Sequence, residues 1–469
     1  MNVLMLVVFA VGILGIALEE TIKVNKAATA LLTGVVLWVL YVVHASFFLE
    51  GNLLFTQFVA DSPDLTELSS TKQYIDYIVH HQMIPHLGEI STTLFFVIGA
   101  MLIVEVIDVH GGFSLITYKI HTKHKRALLW IVAFMAFFVS AILGNLATAI
   151  VMIVMLRKLI PHKVERNVFA CMVIIAANAG GTWSPVGDVT TILLWSNGNI
   201  SPFNQISTLF LPALTCMIVS LLLVTHMFKK GVEWDRSSAS FIPPKDEEPV
   251  PSTSKTNKLI LLIIGISSLA MVPVFNYFTG LPPYVGVLCG MIMLWIYTDL
   301  FYEASNIEEK EQYRIQRVFT KVDMVTVYFF LGLLLSVAAL NSAGILKQAA
   351  IALNEAVEST VVIGFVIGAL SSVLENVALV AATMGMYPIA DPDSVGQMAD
   401  YVANGRFWMF LTYCAVTGGS ILITASATGA TIMGMEKISF TYYLKNFTFI
   451  AIVGFLAGSA VYLLISYII

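Results

Sequence analysis

The stretch Ser140-Ala-Ile-Leu-Gly-Asn145-Leu-Ala recurs later in the chain as Ser371-Ser-Val-Leu-Glu-Asn376-Val-Ala, and both copies lie in long apolar segments. A second pair follows the same pattern, because Ala179-Gly-Gly-Thr182 recurs as Thr417-Gly-Gly-Ser420. In a bilayer, a polar or glycine-rich interruption is tolerated only where it faces protein or a water-filled cavity. Interruptions at corresponding positions of two halves indicate the substrate site of a secondary transporter.

The composition is typical of a membrane protein. Hydrophobic residues make up 58% of the 469 residues and charged residues 12%, whereas soluble domains are about a quarter charged. The net charge of −5 gives no indication of nucleic-acid binding. The four cysteines lie in apolar stretches without CxxC spacing, so we interpret them as core residues. Residues 1–18 lack a positively charged start and a cleavage site, which favours a retained membrane helix over a signal peptide.

The apolar segments predict an all-α polytopic membrane protein built from two inverted-topology repeats of five transmembrane helices each. Residues 1–230 are assigned to the first repeat, 231–256 to a cytoplasmic linker and 257–469 to the second repeat. The linker is rich in Ser, Pro, Lys and Glu, as expected of a connecting segment. Amphipathic stretches at 110–126 and 342–357 are expected at the membrane surface.

Each predicted repeat contains two unusual segments. The segments 127–160 and 358–388 are too long for one crossing and too short for two, so we interpret both as re-entrant helical hairpins. The segments 166–197 and 405–436 are interrupted by Gly-Gly and polar residues, so we interpret each as a crossing helix broken midway.

The distribution of Lys and Arg supports this layout. With the N-terminus outside, 22 of the 25 basic residues fall in the connections predicted to be cytoplasmic. The exceptions are Lys72, Lys347 and Arg406. Both termini are therefore predicted on the external side, which is the periplasm in a bacterium.

The first polar cluster runs from Asn178 to Thr191, with the sequence Asn-Ala-Gly-Gly-Thr-Trp-Ser-Pro-Val-Gly-Asp-Val-Thr-Thr. Its glycines and proline prevent a continuous helix, so carbonyl oxygens are freed beside the oxygens of Asn178, Asp188, Thr190 and Thr191. Hard oxygen ligands of this kind suit a small cation. Asp188 is also a candidate proton-coupling acid. The alternative is a surface loop in which Asp188 caps a helix.

The second cluster places Ser371, Glu375 and Asn376 at the tip of the second predicted hairpin. A charged acid among apolar residues is costly, so Glu375 is a candidate to hold a proton or to neutralise a cation. The first hairpin has Asn145 at the corresponding place but Gly144 instead of the acid, so the two halves differ chemically. The alternative for Glu375 is a structural cap of a half-helix.

A third cluster, Thr417–Gly429, offers hydroxyl groups and flexible backbone without charge. We interpret Ser420 and Ser426 as the opposite face of the cation site. The alternative is that these small residues serve close helix packing.

Glu89 and Asp323 are predicted to begin the third helix of each half. Glu89 is a further candidate proton-coupling acid, although acids at helix starts are commonly solvated. His80, His81 and His86 lack metal-binding spacing, and pH sensing is an alternative role for them.

Through these motifs the chain resembles the NhaD family of sodium/proton antiporters, within the ion transporter superfamily. The resemblance covers nearly the whole chain, and the runs that carry it are Ser140–Met152, Asn178–Thr191, Ser371–Ala382 and Gly418–Leu422. It implies export of Na+, and of Li+, against proton uptake by elevator-type motion in a bacterial inner membrane or a plastid. It also implies a homodimer in membrane lipid, with no cofactor besides the transported ions.

Carried over residue by residue, the resemblance marks a set of transport residues: Glu89, Asn178, Asp188, Thr190, Thr191, Ser371 and Asn376. In the family both hairpin tips usually carry Asp-Asn, where this chain has Gly144-Asn145 and Glu375-Asn376. The missing first acid leaves the ion stoichiometry open.

The alternative function is a sodium-coupled dicarboxylate or other anion carrier of the same superfamily. Two acids near the site, Asp188 and Glu375, would repel an anionic substrate, which favours cation exchange. An intramembrane hydrolase, a different class of protein, would need a metal-binding or nucleophile motif that the sequence does not show.

Overall fold

The computed structural model describes residues 1–17, 19–62, 69–112, 124–160, 162–227, 255–304, 314–357, 359–372 and 375–468. These residues are mostly helical, and Ala390 and Val402 form an isolated parallel β bridge. A helix satisfies its backbone hydrogen bonds internally, as an apolar segment in lipid requires. The prediction of an all-α polytopic membrane protein is confirmed, whereas the inverted relation of the two repeats stays a prediction.

In the first half the helices are α1 (Asn2–Ala17), α2 (Glu19–Ile22), α3 (Lys26–Val43), α4 (Ala45–Leu49), α5 (Leu53–Asp61), α6 (Ser70–Tyr77), α7 (Ile84–Val109), α8 (Lys125–Leu143), α9 (Asn145–Leu159), α10 (Lys163–Thr182), α11 (Val189–Ser196) and α12 (Pro202–Met227). In the second half they are α13 (Lys255–Thr279), α14 (Pro283–Ala304), α15 (Ile315–Val318), α16 (Met324–Ser342), α17 (Ile345–Ala356), α18 (Thr360–Ser371), α19 (Asn376–Met386), α20 (Arg406–Gly418), α21 (Ala427–Glu436), α22 (Phe440–Asn446) and α23 (Thr448–Ile468).

Eight helical stretches in the described part of the chain are long and apolar enough to cross a membrane. They are Lys26–Val43, Ser70–Val109, Lys125–Leu143, Pro202–His226, Thr256–Thr279, Pro283–Phe301, Met324–Ser342 and Thr448–Tyr467. Seven of them correspond to predicted crossings. The eighth, Lys125–Leu143, is the first arm of the predicted hairpin 127–160, and by length alone it could cross.

Two predicted boundaries differ from the structure. Glu89 does not begin a helix, because a π-helical turn (Ile78–Met83) joins α6 to α7 and helical backbone continues to Val109. The last apolar segment, 441–468, is predicted as one crossing, but it is divided at Phe447, where φ is −119° and ψ is −28°, into α22 and α23. Polar residues such as Lys72, Asp76 and Lys445 lie inside these helical stretches, so the ends of the apolar runs do not coincide with the ends of the helices.

Two further assignments fall largely outside the described residues. The linker 231–256 is described only at its last two residues, and the surface stretch 110–126 only at its ends. The second surface stretch, 342–357, contains α17.

The chain divides into two compact units, of which the first comprises residues 1–95, 323–359 and 378–388. Within it, α3 and α16 pack in backbone contact, because a Cβ on Gly332 would overlap the backbone nitrogen of Leu31. Trp38 Nε1 donates to the carbonyl of Leu335 at 3.0 Å. Helices from both halves of the sequence therefore form this unit.

The second unit comprises residues 96–322, 360–377 and 389–469. In it, α8 and α10 run parallel, since Lys125 Nζ lies 2.6 Å from Glu165 Oε1 at their starts and Ser140 Oγ donates to Ala177 O near their ends. The chain turns back at Gly144, where φ is +84°. The α9 helix then returns to the start of α10, so α8 and α9 form a helical hairpin against α10.

The same arrangement recurs in the second half. Ser371 Oγ donates to Ala415 O at 2.6 Å, which repeats the bond from Ser140 to Ala177 at the corresponding positions of the repeated motifs. Thr360 Oγ1 donates to Asp400 Oδ2 at 2.6 Å, so α18 begins beside the start of α20. The first hairpin arm and the broken helix therefore pack alike in both halves.

Glycines allow this packing. A Cβ on Gly180 would overlap Phe137 O, and one on Gly418 would lie 2.7 Å from Gly368 O. These two pairs again occupy corresponding positions of the two halves. The glycines that break the helices thus also let the neighbouring hairpin arm approach.

We expect Gly180→Ala to destabilise the folded protein by about 3 kcal/mol, because the new methyl group would overlap the backbone of Phe137, which is part of α8 and cannot move independently. The measurement is the unfolding midpoint of the purified protein in detergent. Gly434→Ala is the matched control, because no described atom outside its own turn of helix lies within 4 Å of the added Cβ. That variant should be neutral or stabilised by up to about 1 kcal/mol. Equal unfolding midpoints for the two variants would contradict the tight approach at Gly180.

Candidate functional site

The two broken helices contact each other in the second unit and run antiparallel. The end of α21 lies beside the start of α10, since Arg166 Nε is 2.7 Å from Glu436 Oε2. The loop after α11 lies beside the start of α20, since Asn404 N donates to Asn199 O at 2.8 Å. The two breaks, at residues 183–188 and 419–426, therefore meet between these ends.

Asp188 caps the second half of the first broken helix. Its Oδ1 accepts the backbone N–H of Thr190 at 2.7 Å, and Thr191 Oγ1 accepts the backbone N–H of Asp188 at 3.2 Å. This reciprocal arrangement is a capping box, and it places the carboxylate at the positive end of the α11 dipole. The capping that the sequence offered as an alternative is therefore present, but Asp188 is only 3% exposed and not in a surface loop.

Amides from the first residues of α9 and α19 converge on the other carboxylate oxygen. Asn145 Nδ2 donates to Asp188 Oδ2, and Asn376 Nδ2 lies 3.5 Å from the same oxygen. Asn145 also donates its backbone N–H to Gly187 O. The two asparagines of the repeated sequence motif therefore meet at one carboxylate.

Asn178 connects this carboxylate group to the second broken helix. Its Oδ1 accepts from Asn145 Nδ2 at 3.3 Å. Its Nδ2 donates to Ser420 Oγ at 2.9 Å and to Ser426 Oγ at 3.1 Å. Ser426 Oγ in turn accepts from Gly429 N at 3.2 Å and caps α21, as Asp188 caps α11 at the corresponding position of the first half.

This group of side chains is buried and oxygen-rich. Asp188, Asn178, Asn145, Ser420 and Ser426 are each at most 7% exposed. Within the described residues no Lys, Arg or His lies within ion-pair distance of Asp188. A buried carboxylate needs compensating charge as well as hydrogen bonds. The arrangement is therefore chemically suited to a small cation or a proton.

Three of the predicted residues have other contacts. Ser371 Oγ donates to the carbonyl of Ala415, which is a packing bond between helices. Glu375 Oε2 accepts the backbone N–H of Val377 at 2.9 Å, so this half-buried acid caps α19. Thr190 is fully buried, and its backbone N–H is the group that Asp188 Oδ1 accepts.

Glu89 lies in the first compact unit, within α7. Its side chain is 65% exposed, and its Oε2 lies 3.4 Å from Nδ1 of His86. Exposure of this degree is that of a solvated acid or of one near the membrane surface. A role for Glu89 in proton coupling stays a prediction.

Two residues bind the backbone at the breaks and were not predicted from the sequence. Gln205 Nε2 donates to the freed carbonyls of Thr182 and Ser184 at 2.9 and 3.0 Å. Tyr443, at the corresponding position of the second half, donates its hydroxyl to Ser420 O at 2.6 Å. The only signal in the sequence was a polar side chain near the end of an apolar helix. In the sequence, such a side chain cannot be told from one that water solvates at the end of a helix.

Comparisons with known proteins place the chain among membrane transporters. The profile of the citrate transporter family matches residues 4–399. The chain is 37% identical to sodium/proton antiporter 1 of Arabidopsis thaliana, over 98% of this chain and 72% of that protein. It is 35% identical to sodium/proton antiporter 2 of the same plant, over 98% of each. It is 24% identical to the Na+/H+ antiporter NhaD of Vibrio cholerae, over 98% of this chain and 91% of that protein.

Proposed function

Because the chain belongs to the citrate transporter family and to the sodium/proton antiporters related to NhaD, we propose that it exchanges cytoplasmic Na+ for external protons. It is a multi-pass transporter and not an enzyme. The observation that carries the proposal is the buried carboxylate of Asp188, held by amides from both halves of the chain. A cation and a proton would each neutralise this carboxylate, so they would compete for it.

The cation site we propose is centred on Asp188, with Asn145, Asn178, Ser420 and Ser426 around it. Asn376 completes this centre through its contact with Asp188. Thr190, Thr191 and Ser371 are assigned supporting roles, because Thr190 and Thr191 bond to Asp188 in the capping box and Ser371 bonds to Ala415 between helices. The two acids proposed to couple protons are Asp188 and Glu375, with Glu89 as a third candidate outside this group.

Further details of transport belong to the same proposal. Li+ is a second substrate, since it is another small cation that prefers hard oxygen ligands. All of the proposed cation-site residues lie within the second compact unit, as an elevator-type carrier that moves its site as one body requires. We further propose an inverted pair of repeats, a homodimer in a bacterial inner membrane and external termini, the last supported by the distribution of Lys and Arg.

The anion carrier remains the competing function, and the match to the citrate transporter family favours it. The electrostatics oppose it. Without a cation bound, a carboxylate substrate near Asp188 would face a buried charge of the same sign. The relatives with the stated identities are named as sodium/proton antiporters.

The direct test uses purified protein in vesicles that contain a pH-sensitive dye and an acidic interior. Addition of Na+ or Li+ outside is expected to raise the internal pH, whereas K+ and succinate are expected to leave it unchanged. Labelled succinate uptake that depends on Na+, with no sodium-driven proton movement, would establish the anion carrier instead.

Glu375→Gln tests the coupling role of this acid separately from its capping role. The Gln side chain keeps a carbonyl oxygen for the N–H of Val377 but cannot ionise. In the wild type, raising the pH should strengthen apparent Na+ affinity until the coupling acid is ionised and then have no further effect. The Gln variant is expected to lose this pH dependence, measured as apparent Na+ affinity across pH in vesicles.

Glu375→Asp is the control, since it keeps the charge and is one methylene shorter. It should remain active with a shifted pH profile. A Gln variant with the wild-type pH dependence would show that the coupling acid lies elsewhere, with Asp188 as the leading candidate.

A further inference from the structure

A buried ion-pair cluster joins the two halves away from the breaks. Glu436, the last residue of α21, has a side chain that is 1% exposed. Its Oε1 lies 2.7 Å from Arg157 Nε in α9, and its Oε2 lies 2.7 Å from Arg166 Nε in α10. Both carboxylate oxygens thus receive a charge-assisted hydrogen bond, each from a different helix of the first half.

The guanidinium groups also bind the backbone around this cluster. Arg157 Nη2 donates to Met435 O, near the end of α21. Arg166 Nη1 donates to Ile160 O at 2.8 Å, just after the end of α9. The cluster therefore holds the ends of α9 and α21 to the start of α10.

The position of α21 links this cluster to the proposed cation site. The helix has only ten residues, so it is about 15 Å long. Ser426, directly before its first residue, contacts Asn178 near the end of α10. Glu436, at its other end, contacts Arg166 near the start of α10. The short helix α21 is thus attached to α10 at both ends. Because it is rigid, a displacement of one end also displaces the other end.

The equivalent attachment in the other half is uncharged. Asn404 corresponds to Arg166 when Gly180 is aligned with Gly418, and it lies before the start of α20. Its backbone N–H donates to Asn199 O at 2.8 Å, and its Oδ1 accepts from Ser201 N at 2.6 Å. The half-helix that carries Asp188 is therefore attached by neutral hydrogen bonds, and the half-helix that follows Ser426 by ion pairs.

We propose that Glu436, held by Arg157 and Arg166, is a positioning residue that determines cation affinity by fixing α21 so that Ser426 and Ser420 face Asn178. The inference rests on the proposed sodium exchange. Removal of the carboxylate takes the Glu436 ion pair from both guanidinium groups, and the Arg166 side chain is largely buried at 14% exposed, which drives the end of α21 away from α10. The effect reaches the cation only through the helix, so affinity should change more than the rate of transport.

The test compares Glu436→Gln with a matched control in purified protein. A Gln side chain can accept from one arginine, but its NH2 group faces the other donor. We expect its Kd for Na+ by calorimetry, and its apparent KM in vesicles, to rise about tenfold with a maximal rate within about twofold of wild type. Glu165→Gln breaks the Lys125–Glu165 pair, which joins α8 to α10 within one half. In this control, the Kd for Na+ and the apparent KM should each change by less than about twofold.

A second variant covers the case in which Glu436→Gln does not fold. Arg157→Gln leaves the pair between Arg166 and Glu436 intact, and the Arg157 side chain is 42% exposed. We expect it to fold and to raise the Kd for Na+ about threefold. Wild-type affinity in every folded variant of the cluster, or an equal effect of Glu165→Gln, would overturn the inference. Failure of the wild-type protein to bind Na+ at all would instead refute the proposed function.

Discussion

Asp188→Asn is expected to fold and to lose sodium-driven proton movement, by at least about a hundredfold. The Asn side chain has nearly the same shape and can keep the bond from Thr190 N, so the cap on α11 is retained. What is lost is the one negative charge in the buried group of amides and hydroxyls. A bare cation in that place then has oxygen dipoles but no compensating charge. The measurements are dye-reported exchange in vesicles and Na+ binding by calorimetry.

Asp323→Asn is the matched control, because Asp323 caps α16 in the same way. Its Oδ1 accepts from Thr326 N at 3.1 Å, and no role in cation binding is assigned to it. Exchange should persist in this variant, with a loss of stability of about 1 kcal/mol at most. If Asp188→Asn kept wild-type exchange, Asp188 would be a structural cap only. If Asp188→Asn failed to fold while Asp323→Asn folded, the main role of Asp188 would be structural.

The second large effect is expected for Asn178→Leu, which should weaken Na+ affinity about a hundredfold. The volumes of the two side chains are similar, but Leu removes the bonds to Asn145, Ser420 and Ser426 together. Those partners are buried, so each loses a bond that water does not replace. The contact between the two broken helices would lose its central polar link. The measurement is the Kd for Na+ of the folded variant, together with its unfolding midpoint.

Asn446→Leu provides the comparison for Asn178→Leu. Asn446 Nδ2 donates to Tyr442 O at 2.8 Å within its own helix, so its loss affects one local bond. Na+ affinity in this variant should stay within about twofold of wild type. Similar affinities for the two variants would show that Asn178 does not organise the cation site.

Much of the helix organisation could be read from the chain. The break predicted within 166–197 lies between Thr182 and Val189, and the one predicted within 405–436 lies between Gly418 and Ala427. Gly, Pro and polar residues inside an apolar segment are local signals, so their effect on the backbone does not depend on distant partners. The π-helical turn before α7 had no such signal, and the start of that helix was predicted wrongly.

The hydrogen-bond partners of the polar residues were harder to predict from the sequence. From the sequence, Asp188 is predicted to share a site with Asn145, Asn178, Ser420 and Ser426, but Glu375 and Ser371 are predicted there equally. In the structure the described bonds of those two residues are to backbone. Gln205 and Tyr443 were missed because their roles depend on which freed carbonyls lie opposite them.

The sequence by itself determined the class of protein, the repeated pattern and the places where helices break, because hydrophobicity and backbone preference act over a few neighbouring residues. Only the tertiary structure decided that two asparagines from different halves of the chain share one carboxylate, and that Glu436 is held by two arginines of the other half. Hydrogen bonds and ion pairs act over about 3 Å and need a particular direction. Which groups meet therefore depends on the packing of whole helices, which local sequence does not specify.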